Sequence, residues 1–189
     1  NEENRGFSAA NNQAVEAAQG ETVVFLNNDI LTPPGWLVRL RAHLEDPKIG
    51  MVGPRTNYWG NESRLEVRYR SLKELYALAR QRQQQFAGQA FEIPMLALYC
   101  VAMRAEVARE VGPLDERFGV GMFEDDDYCY RVRQAGYRIL CAQDVFIHHW
   151  GKLSFSKLDK ERYERLFAEN QQKFEEKWGV SWQPPKQGK

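Results

Sequence analysis

Short apolar runs of strand length alternate along the chain with amphipathic stretches of helical period, and polar or glycine-proline breaks separate them. Ser8 is placed to cap a first helix carrying Ala10, Ala14, Ala17 and Ala18, with Gly20 as its stop. Thr22 to Leu26 then predicts a buried strand that ends abruptly in Asn27-Asn28-Asp29. Thr32-Pro33-Pro34 restarts a helix through Trp36, Leu37, Leu40 and Leu44. Ile49 to Val52 predicts a second strand closed by Gly53-Pro54, and Arg55 to Arg70, polar and aromatic, reads as a long loop. Ser71 to Gln85 follows as a helix with Leu72, Leu75, Tyr76 and Ala79 as its inner stripe.

Further on, Ala97 to Met103 predicts a central strand, Ala105 to Val111 a short helix and Gly112-Pro113 a turn. Asp125 to Ala135 predicts a helix ended by Gly136, and Tyr137 to Ala142 and Val145 to His148 predict two short strands. Lys157 to Trp178 is a charged amphipathic helix with Tyr163, Leu166, Phe167, Phe174 and Trp178 as its docked face. Strands alternating with helices predict an α/β layer fold. The 189 residues, 43% hydrophobic, suffice for a single packed core.

Charge narrows the partners. The 26 basic and 26 acidic residues cancel, so no overall positive field gathers nucleic acid. Cys100, Cys129 and Cys141 are odd in number, form no CxxC pair and sit in apolar or amphipathic runs, which predicts reduced core thiols in a cytoplasmic protein. No run approaches the ~20 apolar residues of a membrane span, so any membrane association would be peripheral and run through parts outside this chain.

Three polar clusters carry candidate chemistry. Asn27 and Asp29 alternate along an extended chain and share a face, so both could converge on one divalent ion; the same residues also suit a turn that caps the next helix. Glu124 to Asp127 are four acids in succession, which raise one another's pKa and suit a general base, or else form an acidic first helical turn. His148 ends an apolar run as Asp29 does, in the manner of a metal ligand or of a packed histidine, and alternation sends His149 to the opposite face.

The order of these pieces resembles the family 2 glycosyltransferases. The resemblance runs from Asn4-Arg5-Gly6-Phe7 and Asn11 through Phe25-Leu26-Asn27-Asn28-Asp29 and Pro34-Gly35-Trp36-Leu37 to Gly112-Pro113-Leu114-Asp115-Glu116-Arg117-Phe118. It continues through Glu124-Asp125-Asp126-Asp127 with Arg131 and Ala135-Gly136-Tyr137 and ends at His148 before Gly151. It implies a Rossmann-like, GT-A-type three-layer α/β sandwich with a mixed central sheet, and inverting transfer of a sugar from a nucleotide-diphosphate donor to a saccharide, lipid-linked or protein hydroxyl, in polysaccharide, cell-surface glycan or glycoconjugate synthesis. By the same resemblance Asp125 is the catalytic base, Glu124 and Trp150 lie near the acceptor, and Asn4, Gly6, Asn27, Asn28 and Asp29 meet the donor. Asp29, His148 and Asn27 would hold Mn2+ or Mg2+; Asn27 stands where the family has an acid and leaves a neutral oxygen donor.

Family members open with two strands that bind the base and ribose, and this sequence starts after them. Residues 1–156 therefore read as the C-terminal two-thirds of a catalytic domain, with low activity alone, and residues 157–189 as an amphipathic helix and tail. Two other readings use the same residues. One is a non-catalytic scaffolding module that binds partners through the loop around Tyr58 and Trp59 and through the tail helix. The other is a metal-dependent enzyme acting on phosphate esters.

Overall fold

The computed structural model describes residues 1–58, 60–151 and 159–185. Trp59 and the expected boundary at residues 156–157 lie outside them. Helix α1 spans Gly6–Ala17 and leads into strand β1, Thr22–Leu26; β2 is Ile30–Leu31, α2 is Trp36–His43 and β3 is Ile49–Thr56. Helix α3, Leu72–Gln85, precedes the short β4, Ala90–Glu92, then β5, Cys100–Arg104, and α4, Ala105–Val111. A 3-10 turn, Glu116–Phe118, leads to α5, Glu124–Gln134, then β6, Arg138–His149, and α6, Lys160–Trp178.

The sheet runs β1-β5-β3-β6-β2, with β4 also on β6. Strand β5 is antiparallel to both β1 and β3, and β3 is parallel to β6, so β1, β3 and β6 point the same way. Their carboxyl ends share one edge of the sheet, where α/β folds place their sites. Side chains alternate between two cores. Val23, Phe25, Val101, Met103, Ile139 and Cys141 pack on one face with Val107, Tyr128 and Val132 of α4 and α5. Cys100, Ala102, Leu140 and Ala142 face the other way, towards Leu40 and Leu44. All three cysteines are buried and free, and no helix among the described residues is long and apolar enough to cross a membrane.

Several local expectations are corrected. Ser8 does not cap α1 but lies buried within it; the side-chain oxygen of Asn4 instead accepts the Gly6 N–H at 2.9 Å. Strand β3 does not stop at Gly53-Pro54 but runs to Thr56, with Pro54 at a shift in its register against β6. Proline lacks an N–H for the ladder, and a register irregularity is where a strand tolerates one. The two strands expected over Tyr137 to His148 are one, because β6 continues through that shift while Gln143 to Val145 bulge out of register. Asp144, buried in the bulge, accepts the Gly88 N–H at 3.1 Å and lies 3.0 Å from His43 Nε2. On α3, Leu75 and Ala79 are buried, but Leu72 and Tyr76 are exposed.

Candidate functional site

The first half of the site forms where β1 and β6 end. The Asn27 N–H donates to Tyr99 O at 2.8 Å and the Trp150 N–H to Asp29 O at 3.0 Å, so the two strand ends are laced through Tyr99 and Trp150. Strand β2 pairs Ile30 with His149 and Leu31 with His148. That register brings His149, not the expected His148, to Asp29: Nε2 lies 3.3 Å from Oδ1. The contact is within ionic reach but not aligned as a hydrogen bond, and both Asp29 Oδ1 and His149 Nδ1 are buried without a hydrogen-bond partner. Asn57 grips the His149 backbone in both directions, accepting its N–H at 2.8 Å and donating to its carbonyl at 3.1 Å. The imidazole stacks on Tyr99 with centroids 4.6 Å apart, and Tyr58 meets its edge.

His148 faces other partners. Burial raises the Tyr69 phenol to about 12, and its hydroxyl is hydrogen-bonded to His148 Nδ1. Burial also lowers the His148 pKa, with the charge of His149 adding to it, and the bond to Tyr69 occupies its Nδ1. Trp150, half-exposed, meets the His148 ring edge-on at 4.4 Å. Asn28 is exposed, while Asn27 and Asp29 are half-buried.

The second half is the start of α5, where the four acids part company. Asp127 is fully buried and neutralised by Lys177 Nζ at 2.5 Å, Trp178 Nε1 at 2.9 Å and Arg131 Nε at 3.0 Å. Asp126 accepts from Trp182 Nε1 at 2.8 Å. Helix α6 and the residues after it thus occupy two acids and leave Glu124 and Asp125. Burial raises the Glu124 carboxyl to about 7 against its own backbone amide, with Asp126 adding to the rise, and its Oε2 has no hydrogen-bond partner. Asp125 is pushed well up by burial, then by Glu124 and Asp126, while a hydrogen bond from the Leu98 backbone opposes the shift. Leu98 thus meets Asp125, and the next residue, Tyr99, meets Asn27 and His149. Consecutive residues of that segment thus meet the two clusters, Leu98 the acidic helix start and Tyr99 the strand-end corner.

Asn4 and Gly6 lie at the opening of α1, with the Gly6 backbone against Gly119 and Val120 of the loop before α5. A cavity of about 980 Å³ lined by Asn12, Glu21, Arg104 and Arg109 holds none of the expected site residues. Among the described residues no group of three or more His, Cys, Asp or Glu converges as a metal site. The donors present are therefore a pair, one carboxylate and one imidazole, a set that suits Mn2+ when substrate phosphate supplies further oxygens.

The family model described as "Glycosyltransferase like family 2" matches residues 1–167. The chain belongs to that glycosyltransferase family. It is 30% identical over 146 residues to the pre-mycofactocin glycosyltransferase of Mycobacterium tuberculosis, covering 77% of this chain and 30% of the relative. It is also 30% identical over 164 residues to the O-antigen biosynthesis protein RfbC of Myxococcus xanthus, covering 76% of this chain and 12% of that one. The chain thus spans under a third of either relative. Among solved structures, GalNAc-T7 with UDP, GalNAc and Mn2+ superposes with a TM-score of 0.60 at 17% identity over 79% of this chain and 31% of its own. The mannosyltransferase PcManGT from Pyrobaculum calidifontis with GDP-Man and Mn2+ gives 0.59 at 20% identity over 97% and 46%. These neighbours share the GT-A-type fold, a mixed sheet between helical layers.

Proposed function

We propose that this family 2 chain carries the diphosphate and acceptor sides of an inverting, nucleotide-sugar-dependent glycosyltransferase site. The supporting observation is the Asp29–His149 pair, with one buried unpartnered polar atom on each residue and its imidazole stacked on Tyr99, the residue after the Leu98 whose backbone meets Asp125. Asp125, its proton affinity raised by burial, takes the proton of an acceptor hydroxyl as that oxygen attacks the anomeric carbon. The bond from that carbon to the diphosphate breaks on the opposite face, and the nucleoside diphosphate leaves with the electron pair. Asp29 and His149, with Asn27 beside them, would hold a Mn2+ or Mg2+ ion, which supplies charge neutralisation to the leaving phosphates. Glu124 borders the base, and the half-exposed Trp150 offers an indole face for a saccharide acceptor.

The test uses the full-length polypeptide with a panel of sugar nucleotides, with and without Mn2+, alongside Asp125→Asn. Turnover that requires the ion and is lost in the variant supports the reading. Undiminished turnover in Asp125→Asn overturns the base assignment. Mn2+ binding followed by electron paramagnetic resonance separates the histidines: His149→Ala weakens it and His148→Ala does not, and the reverse result returns the ligand role to His148.

A further inference from the structure

The loop that delivers the acids to the site has a backbone that side chains resist. Gly119 has φ 65° and Gly121 φ 145°, but Met122 and Phe123, at 76° and 73°, are two successive residues with a Cβ in the left-handed region. Such conformations persist only where surrounding structure over-determines them. Phe123 immediately precedes Glu124, and its carbonyl accepts the Asp127 N–H at 2.9 Å, so the loop's conformation sets the direction in which α5 starts.

Helix α6 supplies the restraint. Asn170 is fully buried, and its Nδ2 donates to three loop carbonyls: Phe118 at 2.9 Å, Gly121 at 3.0 Å and Met122 at 3.2 Å. One amide has two hydrogens, so one is shared between acceptors. Its Oδ1 accepts from Lys173 Nζ at 2.9 Å, and the same ammonium holds Arg117 O at 3.0 Å. Phe123 is seated among Phe167, Phe174 and Trp182. The loop is therefore gripped at its carbonyls and at its aromatic anchor by one helix and the residues after it.

We propose that Asn170 is a positioning residue for sugar transfer: by tying three carbonyls of the 118–122 loop to α6, it aims Glu124 and Asp125 into the site. This rests on the assignment of Asp125 as base. The tail helix is then part of the catalytic apparatus and not an appendage to it.

The experiment uses the full-length polypeptide carrying Asn170→Ala, with Asn170→Ser as the milder variant, which retains a hydroxyl donor, and with Met122→Gly alone and in combination. Circular dichroism establishes the folded fraction, to which rates are normalised. Asn170→Ala is expected to lower kcat about tenfold or more with donor KM little changed, because misplacing a reacting group by about 1 Å costs up to ~100-fold. The carboxyl carbons of Glu124 and Asp125, followed by 13C NMR, are expected to titrate lower as the loop loosens. Glycine adopts positive φ without a Cβ clash, so Met122→Gly is expected to restore part of the lost kcat. If Asn170→Ala does not fold, Asn170→Ser carries the same comparison. Unchanged kcat and unchanged carboxyl titration in the folded variant overturn the proposal, as does a fall in activity that matches the folded fraction with no rescue by Met122→Gly. Failure of the base assignment is read separately: Asp125→Asn would then retain turnover, while the carboxyl titration still reports whether Asn170 positions the loop.

Discussion

Glu124→Gln isolates the cost of burying charge at the head of α5. Burial raises the Glu124 carboxyl from its ordinary 4.5 to about 7. A folded state that holds its proton more tightly than the unfolded chain is favoured at low pH, and that advantage is lost as pH rises between 4.5 and about 7. Above that window the buried carboxylate costs the fold about 3 kcal/mol, and at pH 5 less than about 1 kcal/mol. Glutamine keeps the shape and cannot ionise. Its amide would sit where Oε2 has no partner, at a cost of about 1–3 kcal/mol, but that cost does not depend on pH. The readout is therefore the difference between the two pH values. In urea unfolding, the stability of Glu124→Gln relative to the parent is expected to be about 2.5 kcal/mol more favourable at pH 8 than at pH 5. A relative stability that is the same at both, or less favourable at pH 8, refutes the argument that an ionising buried Glu124 is a burden on the fold.

Asp127→Ala removes the buried carboxylate shared by Arg131, Lys177 and Trp178, although Lys177 keeps Asp115 at 2.7 Å, and is expected to lower unfolding free energy by about 3 kcal/mol, measured in urea at pH 7. Gly6→Ala combines a φ of 83° with a Cβ that would run into the Gly119 carbonyl, and a loss of about 1–3 kcal/mol is expected in the same assay. Asp144, buried and bonded to His43 and the Gly88 N–H, is held below its ordinary 3.8: burial alone would raise it, but the His43 and Gly88 hydrogen bonds prevail. Asp144→Asn is expected to cost about 1–3 kcal/mol at pH 7, with the gap to the parent closing as pH falls below 3.8, and a gap that widens in acid would contradict this.

The polar ends of the apolar runs were legible because a strand's side chains change character where it leaves the core, as at Leu26 to Asn27 and Ile147 to His148. Which histidine reaches Asp29 was not. Alternation separates His148 from His149 but assigns neither to a face; the pairing of Ile30 with His149, more than a hundred residues apart, makes that choice. Asn170 was equally hidden, since it lies in a helix rich in charge, and its burial depends on a loop some fifty residues earlier. Leu72 and Tyr76 fitted the inner stripe of α3, yet α3 turns Leu75 and Ala79 inward instead. Strands β2 and β4, of two and three residues, are too short to leave a period. Tyr69 and Asn57 sat in the polar aromatic stretch read as a loop, where their residue types were visible but their contacts with His148 and His149 were not.

The Leu98–Tyr99 pair ties the two halves of the site to one stretch of buried chain. Its backbone meets Asp125 at Leu98 and Asn27 at Tyr99, through main-chain groups and not through the two side chains. Under the proposed assignment the base and the diphosphate corner therefore hang from one short stretch of main chain, and a backbone shift there moves both together.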